Sequence, residues 1–536
     1  MPSPASSPSS APPDTGTRHI TATIVLACLG VFVSYLPVVG VSVALPVMQQ
    51  ALDASTEGLQ WITDAFILPT AALLLTCGMV GDLFGRKKTY LAGLALFCLG
   101  CLVCLTAGSV VQVCVGQALT GVGTAALLPS TLALIGHVIP DPRARARAIA
   151  LLWTAALGLG LTLGPVVNGL IVAHTSWRWI FLPSLVLAVV TAVIGAAVLT
   201  DSRSDRERHL DVPGQLLAVV AVTGLVYGVI EGGSAGWSSA RVVVAFVAAA
   251  LAATGFVLVE LRSSCPMLDM RLFRARAFSG AALVMAVTLF AQVGLVFALS
   301  EYFGLVHHAA TLDIGIRLIA INGFTVVLGP LVGRLMNRAT PGLLLVTGLV
   351  VGGIGALLMN VFRAGTGTGE AALVIGVLGI GIALAMAPIT TIAMDALPHR
   401  LGGTAAAANS ALRQIGSALG PAVFGVVLTH RTLATLPGHL ASSGLSPADQ
   451  GQVSGLVSDV GIQAGAFLHL KTPASTGQAQ AAYGASFTDA LHTCALVGGI
   501  GMLGAAVIAV ALIGIRPARA PQAAPEAAAH PAGAAS

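Results

Sequence analysis

Long stretches of apolar residues alternate with short polar segments along almost the whole chain. A helix needs roughly 20 mostly apolar residues to cross the hydrocarbon core of a bilayer. Gly and Pro occur inside many of these stretches, which transmembrane helices tolerate better than soluble helices do. The pattern predicts fourteen spans, at 20–48, 58–80, 88–108, 111–138, 148–174, 178–200, 212–231, 240–261, 277–304, 312–336, 341–361, 371–396, 402–429 and 487–515.

The positive charges give these spans an orientation. Most of the 26 Lys and Arg residues fall in segments that share the side of the N-terminus, and cytoplasmic segments are enriched in these residues. We therefore expect a multi-pass protein of the cell inner (plasma) membrane with both termini in the cytoplasm. The Pro- and Ser-rich segment 1–19 and the Ala-rich segment 516–536 are predicted to be disordered cytoplasmic tails.

An even number of spans is compatible with two duplicated halves, a common plan among transporters. We expect an N-terminal six-helix bundle at 20–200 and a two-helix insert with cytoplasmic linkers at 201–276. A C-terminal six-helix bundle is predicted at 277–515. It includes a long extracellular loop rich in Ser, Gly and Ala, residues 430–486, which we expect to be partly helical.

Composition excludes several classes of protein. Only 9% of the 536 residues are charged and 56% are hydrophobic, whereas a soluble protein carries about 25% charged residues. No basic patch on a soluble face is available for nucleic acid. No phosphate-binding loop, zinc-hydrolase motif or nucleophile elbow points to an enzyme or a cofactor. The fold class is an all-α polytopic membrane protein in the lipid bilayer, with no predicted cofactor or metal.

Span 2 ends in the sequence GMVGDLFGRKK at 78–88. Its glycines permit close approach of helices, its acid can pair with a nearby Arg or a helix N-terminus, and its basic residues can anchor the turn at the cytoplasmic face. The residues of this motif that we single out are Gly78, Gly81, Asp82, Gly85, Arg86 and Lys87.

Span 5 carries the sequence GLGLTLGPVVNG at 158–169. Gly160 and Gly164 leave the helix with little side-chain bulk, and Pro165 removes a backbone hydrogen bond and permits a bend. A bent, smooth helix suits a moving interface; ordinary tight packing is the alternative. Asn168 adds a polar group near this surface.

These two motifs resemble the major facilitator superfamily, and other segments narrow the resemblance to its fourteen-helix drug:proton antiporter family. Those segments include LQWITDAFIL at 59–68, WRWIFL at 177–182 and ALRQIG at 411–416. The resemblance covers nearly the whole chain outside the tails and 430–486. It implies two six-helix bundles plus two inserted helices, and a small-molecule substrate exchanged for protons by alternating access. In the family the span 2 motif holds the outward-facing state, and Asn168 stands where Gly is usual.

Ionisable residues inside the membrane are functional candidates, because a charge there is costly unless it is paired or hydrated. Asp64 lies within span 2, where many relatives place an acid, and we predict that it carries the coupled proton. An interfacial acid hydrated from outside is the alternative. Arg413 lies deep in span 13 and could bind an anionic group or hold an acid ionised; a helix–helix contact is the alternative.

Further polar residues fall into two groups. Glu301, Asp313 and Arg317 lie near the outer ends of spans 9 and 10, where an outer gate or salt-bridge cluster is favoured over a substrate site. The second group consists of candidates for lining a cavity between the halves. Its members are Tyr35, Gln117, Gln292, Asn322, Asn409, Arg413 and Gln414.

Two positions depart from the family pattern. Pro37 occupies the place of the usual acid in the first helix, and Gln117 replaces the usual buried Arg of the fourth helix. An acid–base pair can be lost together without leaving an unpaired charge. Three consequences are possible for proton coupling. It rests on Asp64 alone, which is the alternative that we favour, or the acids near the outer ends of spans 9 and 10 have taken it over. The third alternative is that the protein is poorly coupled.

The sequence thus predicts a monomeric exporter of small hydrophobic or amphipathic drugs or natural products, driven by proton antiport. A weakly coupled or uncoupled facilitator or importer of a small organic solute is one alternative, supported by Pro37 and Gln117. A non-transporting receptor or scaffold on the same fold is another. The intact span 2 and span 5 motifs argue against it.

Overall fold

The computed structural model describes residues 15–139, 141, 148, 152–202, 211–263, 268, 270–336, 338–396, 402–466 and 468–515. Within these ranges the chain is almost entirely helical and has no strand. The helices are α1 (Thr15–Leu52), α2 (Thr56–Phe84), α3 (Arg86–Leu105), α4 (Val110–Val138), α5 (Thr154–His174), α6 (Leu182–Val198), α7 (Val212–Ala235), α8 (Ala240–Arg262), α9 (Arg276–Leu305), α10 (Thr311–Leu335), α11 (Pro341–Leu358), α12 (Thr368–Asp395), α13 (Gly402–Ala441), α14 (Pro447–Val460) and α15 (Pro473–Leu512).

The number of spans agrees with the prediction from the sequence. Among the described residues, 13 helices are long and apolar enough to cross a membrane, or 14 when the two bent segments of α2 count as one span. Helix α14 is the one named helix outside this set. Many large apolar side chains of α6 and α8 are exposed, Val193 and Leu251 among them, as expected for helices that face lipid.

Helix α2 bends by 52° between Leu74 and Thr76. At this bend the Gln215 amide of α7 donates to the carbonyl oxygen of Ala72 at 2.7 Å, and the Thr76 hydroxyl donates to the Gln215 side-chain oxygen. A side chain that enters the backbone hydrogen-bond ladder is a recognised cause of helix bending. Gln215 therefore ties the inserted helix pair to the bend of α2.

The helices form two bundles and a peripheral pair. Helices α1–α6 pack together, as do α9–α13 with α15, while α7 and α8 pack on each other and α7 contacts α2 and α13. The bundles meet mainly where α2 packs on α13 and α5 packs on α10. The second helix of each half thus contacts the fifth helix of the other, a symmetric arrangement typical of duplicated transporter halves.

The two halves contact each other at one end of the helix bundles. We call the end at which α2 joins α3, at Gly85, the motif end, and the end that carries residues 430–486 the opposite end. Helices α1 and α9 meet at the opposite end, where the Ser300 hydroxyl donates to the carbonyl oxygen of Ser42. Pro46 of α1 also packs against Gly304 of α9. The two halves are therefore in direct contact at the opposite end.

Residues 430–486 form a largely helical cap, and the helices around it are longer than predicted. Helix α13 continues beyond residue 429 to Ala441, and α15 begins at Pro473 rather than at 487. Each has 40 residues and is about 60 Å long. The extension of α13 and helix α14 bury apolar side chains, Leu440 and Val457 among them.

Specific contacts hold the cap together. His439 of α13 pairs with Asp489 of α15 at 2.8 Å, and the Tyr483 hydroxyl donates to the carbonyl oxygen of Ile462. The 3-10 segment Gly461–Ala466 packs on α2 of the first half and on α9 of the second. The cap therefore covers both halves at the opposite end.

The predicted tails are only partly within the described residues. Helix α1 begins at Thr15, so the last residues of the predicted 1–19 tail belong to the first span. Residues 1–14 and the predicted tail 516–536 lie outside the described residues.

Candidate functional site

The turn between α2 and α3 depends on a glycine. Gly85 has a φ of 116°, in the region that disfavours residues with a Cβ atom. Its N–H donates to the carbonyl oxygen of Gly81 at 3.1 Å. The N–H of the next residue, Arg86, donates to the carbonyl oxygen of Ser202 at 3.0 Å. A Cβ atom on Gly85 would lie 2.5 Å from the Asp201 carboxylate. The segment after α6 thus packs on this turn, a contact that the sequence did not predict.

The charged residues of the same motif bind neighbouring helices. Arg86 pairs with Asp82 at 3.1 Å and donates to the carbonyl oxygen of Ala133 in α4 at 3.3 Å. The Lys87 ammonium donates to the carbonyl oxygen of Ala196 in α6 at 2.8 Å. These contacts all lie in the N-terminal half. They fix α2, α3, α4 and α6 relative to one another at the motif end.

The other glycines of the motif allow α2 to approach α4 closely. A Cβ atom on Gly78 would lie 3.5 Å from Pro129, and one on Gly81 would lie 3.8 Å from the Ser130 hydroxyl and from Thr89. These are ordinary van der Waals distances. Alanine is therefore compatible with both positions in this conformation, unlike at Gly85.

Substituting Gly85 by Ala should destabilise the motif end. The expected cost is about 1–3 kcal/mol, because the positive φ strains the backbone and Asp201 must move. The measurement is the thermal denaturation midpoint of the purified protein. Gly236→Ala is the matched control, because Gly236 also has a positive φ, 87°, but nothing lies within 4 Å of an added Cβ atom. An equal loss in both variants would show that the contact with Asp201 contributes nothing.

Asp64 is fully buried, and neither of its carboxylate oxygens has a hydrogen-bond partner within the described residues. The contacts of Gln60 and Trp61 indicate which face of α2 carries Asp64. Gln60, one turn earlier, packs on Gly425 of α13, and Trp61 contacts Tyr227 of α7 with ring centroids 6.0 Å apart. Because residues three and four apart share a helix face, Asp64 lies on the side of α2 that faces α13 and α7.

Gln117 of α4 contacts the backbone of α2. Its side-chain amide is buried and donates to the carbonyl oxygen of Ile62 at 3.4 Å, two residues before Asp64. The glutamine that replaces the family's arginine thus binds the backbone of α2.

A groove lies beside α2, away from the interface of the two halves. It has a volume of about 750 Å³ and runs between α2, α4 and α7. Its lining is mostly apolar and includes Trp61, Leu68, Val115 and Val219. Its lining residues come from the N-terminal half and the insert, and none comes from the C-terminal half.

Asn168 connects α5 to α1. Its side chain is fully buried, and its Nδ2 donates to the carbonyl oxygen of Leu36 at 3.0 Å. Gly40 leaves room for it, since a Cβ atom there would lie 2.2 Å from Nδ2. Leu36 directly precedes Pro37. Asn168 therefore binds the backbone of α1 next to Pro37, the other unusual residue of these two helices.

The glycine-rich face of α5 contacts the other half. A Cβ atom on Gly169 would lie 2.8 Å from the Cα of Leu312 in α10, and one on Gly315 of α10 would lie 2.5 Å from the carbonyl oxygen of Pro165. Gly164 and Pro165 are both buried. The backbones of α5 and α10 therefore touch between the midpoint and the opposite end, and Gly315 is a contact residue that the sequence did not single out.

Gly160, on the same helix, faces α1 instead. A Cβ atom there would lie 3.1 Å from the carbonyl oxygen of Phe32 and 3.3 Å from the Cβ of Tyr35. The small residue thus determines how closely α5 approaches Tyr35.

Several predicted cavity residues form pairs. The Arg413 Nη2 donates to the Tyr35 hydroxyl at 3.0 Å, which joins α13 to α1. The Gln292 amide of α9 donates to the side-chain oxygen of Asn322 in α10 at 2.9 Å, and both residues are buried.

Two other predicted cavity residues lie on α13 beside Arg413. Asn409 and Gln414 are both buried, and the Asn409 side-chain oxygen has no hydrogen-bond partner among the described residues. Asn409 is one helical turn before Arg413 and therefore shares its face of α13.

Arg317 of the predicted outer cluster contacts α9 and α12. It donates to the Thr368 hydroxyl at 2.7 Å and stacks on the Phe303 ring at 4.7 Å. Glu301 is fully buried, whereas Asp313 is exposed in the first turn of α10, where the helix dipole stabilises its charge. Three residues that are close in sequence thus have different environments.

His307 lies beside Arg317, in the loop before α10. Its ring contacts Tyr302 and Phe303 at centroid distances of 4.9 and 5.8 Å. Burial, together with the positive charge of Arg317, lowers the pKa of His307. The neutral imidazole is therefore favoured next to the positively charged guanidinium of Arg317.

Comparison with known proteins places this architecture in a family. The model of the Major Facilitator Superfamily matches residues 27–421. The multidrug resistance protein Stp of Mycobacterium tuberculosis is 34% identical over 82% of this chain and 81% of its own length. The tetracenomycin C resistance and export protein of Streptomyces glaucescens is 31% identical, over 79% of this chain and 78% of its own.

A solved structure supports the fold independently. A bacterial homolog of the human lysosomal transporter Spinster, in an inward-facing and unoccupied conformation, aligns with a TM-score of 0.61. The alignment covers 95% of this chain and 100% of the other, at 15% identity. The matched family model, the relatives and the two packed six-helix bundles agree, and the chain belongs to the Major Facilitator Superfamily of multi-pass membrane transporters, which are not enzymes.

Proposed function

We propose that the protein exports small hydrophobic or amphipathic organic compounds from the cytoplasm in exchange for protons. The named relatives are resistance and export proteins, and a bacterial transporter of this kind lies in the plasma membrane. The motif end is cytoplasmic in this proposal, because it carries the basic residues that favour the cytoplasmic side.

The observation that carries the proton coupling is the environment of Asp64. Its side chain is fully buried and its two carboxylate oxygens lack a hydrogen-bond partner in the described part of the chain. An ionised, unpaired carboxylate in such a place would cost several kcal/mol. The carboxyl group therefore holds a proton in this conformation and releases it when helix movement admits water.

The contacts between the halves suggest how that movement occurs. Ser42 bonds Ser300 and Gly169 packs on Leu312, all toward the opposite end. We assign this conformation to a state closed at the opposite end, which faces inward. Separation of these contacts, with the halves closing at the motif end, would give the outward-facing state.

A facilitator without tight coupling is the second candidate. It is favoured by Pro37 and Gln117, which remove one acid and one base, and by the bond of Gln117 to the α2 backbone at 3.4 Å in place of an ion pair. The two candidates differ in whether solute flux moves protons.

Purified protein in proteoliposomes distinguishes them. A panel of cationic, neutral and anionic aromatic compounds is supplied on one side, and an entrapped pH dye reports proton movement. The proposal predicts that solute flux in one direction drives protons in the other, and that an imposed pH gradient drives solute accumulation that an uncoupler abolishes. Flux without proton movement would favour the facilitator, and the absence of flux across the panel would contradict both.

A further inference from the structure

Arg413 carries a charge in the middle of the molecule that no acid neutralises within the described residues. It lies eleven residues after Gly402, the first residue of α13, which is roughly 16 Å along the helix. Its one described side-chain partner is the neutral hydroxyl of Tyr35 at 3.0 Å. Since arginine stays protonated in proteins, its charge requires compensation from an anion or from water.

The position of Arg413 places this charge between the two halves. Helix α13 belongs to the C-terminal half and α1 to the N-terminal half, so the Arg413–Tyr35 hydrogen bond crosses the interface between them. Arg413 is partly exposed, whereas its neighbours Gln414 and Ser417 are buried. A partly exposed guanidinium at this point is accessible to a solute in the pathway.

Further hydrogen-bond donors share its location. The Asn409 side chain lies one helical turn away on the same face of α13, and its amide nitrogen is a hydrogen-bond donor. The Tyr35 hydroxyl accepts from Arg413 and keeps its own hydrogen to donate. A guanidinium flanked by a phenol and an amide suits the oxygens of a carboxylate or an ionised phenol.

An apolar surface adjoins these donors. The Tyr35 side chain packs in a cluster with Leu74 of α2 and Leu128 of α4, bordered by Leu157 and Leu161 of α5. A solute that places an anionic group at Arg413 would therefore meet the half-buried side chains of Leu157 and Leu161 of α5. This combination favours an amphipathic molecule with one acidic end.

We propose that Arg413 and Tyr35 bind the anionic group of the exported compound, so that the substrates are amphipathic organic anions. This inference rests on the proposed export function. It also explains how transport tolerates Pro37 and Gln117: the negative interior of the cell itself favours the exit of an anion. A cationic substrate would face the opposite force and would need stronger proton coupling.

The test uses three tritiated compounds with one apolar body: 4-phenylbutanoate, 4-phenylbutanol and 4-phenylbutyltrimethylammonium. Binding to the full-length protein in nanodiscs is measured by scintillation proximity, with empty nanodiscs as blanks. The carboxylate should bind at least about tenfold more tightly than the other two, as expected for charge-assisted hydrogen bonds. Equal binding of the carboxylate and the alcohol, or no binding of either, would overturn the inference.

Substitutions test whether the preference for the carboxylate depends on Arg413 and Tyr35. Arg413→Gln should remove the tenfold preference for the carboxylate over the alcohol, while Arg413→Lys should retain part of it. Tyr35→Phe, which keeps the charge and the ring, should weaken carboxylate binding by about threefold to tenfold, and tests the site even if the arginine variants do not fold. Arg431→Gln is the matched control, since Arg431 is exposed on the same helix and bonds Thr493. Unchanged carboxylate binding in both Arg413→Gln and Tyr35→Phe would show that the pair only joins the helices.

The same compounds separate this inference from the export function. Proton-coupled flux of the alcohol or the ammonium compound without carboxylate preference leaves the export function intact and overturns the anion site. Carboxylate binding that depends on Arg413, without any proton-coupled flux, supports the anion site and contradicts proton antiport.

Discussion

Replacing Asp64 by Asn should reduce pH-driven accumulation of substrate to the level of empty liposomes. The change is almost isosteric, and the side chain is fully buried, so packing against α13 and α7 should persist. The amide cannot release a proton at physiological pH, which removes the exchange on which coupling depends. Downhill exchange of substrate without a proton gradient should survive, because it does not require the carboxyl to change its charge. Both quantities are measured on the same proteoliposome preparation.

Two variants make this result specific. Asp64→Glu keeps the titratable group and should retain part of the coupling, although its extra methylene must be accommodated in a packed site. Glu57→Gln is the control, because it neutralises an acid in the first turn of the same helix, where the side chain is only partly buried. Full pH-driven accumulation in Asp64→Asn would reject this acid as the coupling group.

Substituting Gly315 by Val should separate the halves at the opposite end and greatly slow transport. A Cβ atom at this position would lie 2.5 Å from the carbonyl oxygen of Pro165, and backbone atoms cannot move aside as the tip of a side chain can. The valine therefore destabilises the conformation in which α5 and α10 touch. Cysteines at positions 42 and 300, which adjoin across α1 and α9, report this change through their rate of disulfide cross-linking. We expect rapid cross-linking in the parent and at least about a tenfold lower rate in the variant, equivalent to about 1.4 kcal/mol.

Gly329→Val provides the control for this experiment. Gly329 lies on α10 as well, but nothing is within 4 Å of an added Cβ atom. It should therefore leave cross-linking and transport near the parent level. If Gly315→Val cross-links as fast as the parent, the contact of α5 with α10 does not determine closure.

The fold was predictable because the feature that determines it, an apolar stretch of bilayer length, is repeated along the sequence. Each span is a run of apolar residues of bilayer length, so the all-helical membrane fold and the number of spans agreed with the structure. The motif around Gly85 was also recognisable from the spacing of its Gly, Asp and Arg residues, although the positive φ of Gly85 was not predicted. The ends of α13 and α15 were wrong because hydropathy reports contact with lipid, whereas these helices continue by packing on each other.

The site was less predictable, because it depends on which helix faces meet. Asp64, Arg413 and Tyr35 could be chosen as polar residues within spans, but only coordinates could pair Arg413 with Tyr35 and leave Asp64 without a hydrogen bond in the described part of the chain. The contacts of Arg317 with Thr368 and Phe303 could not be predicted for the same reason. The roles of the site residues in transport stay predictions.

The two 40-residue helices and α14 have a practical consequence. A detergent micelle hides most of a membrane transporter of this size, and single-particle images then lack features for alignment. The folded projection formed by α13, α14 and α15, braced by His439 and Asp489, offers an asymmetric marker outside the micelle. In the orientation proposed above, it is also an extracellular surface that antibody fragments could bind on intact cells.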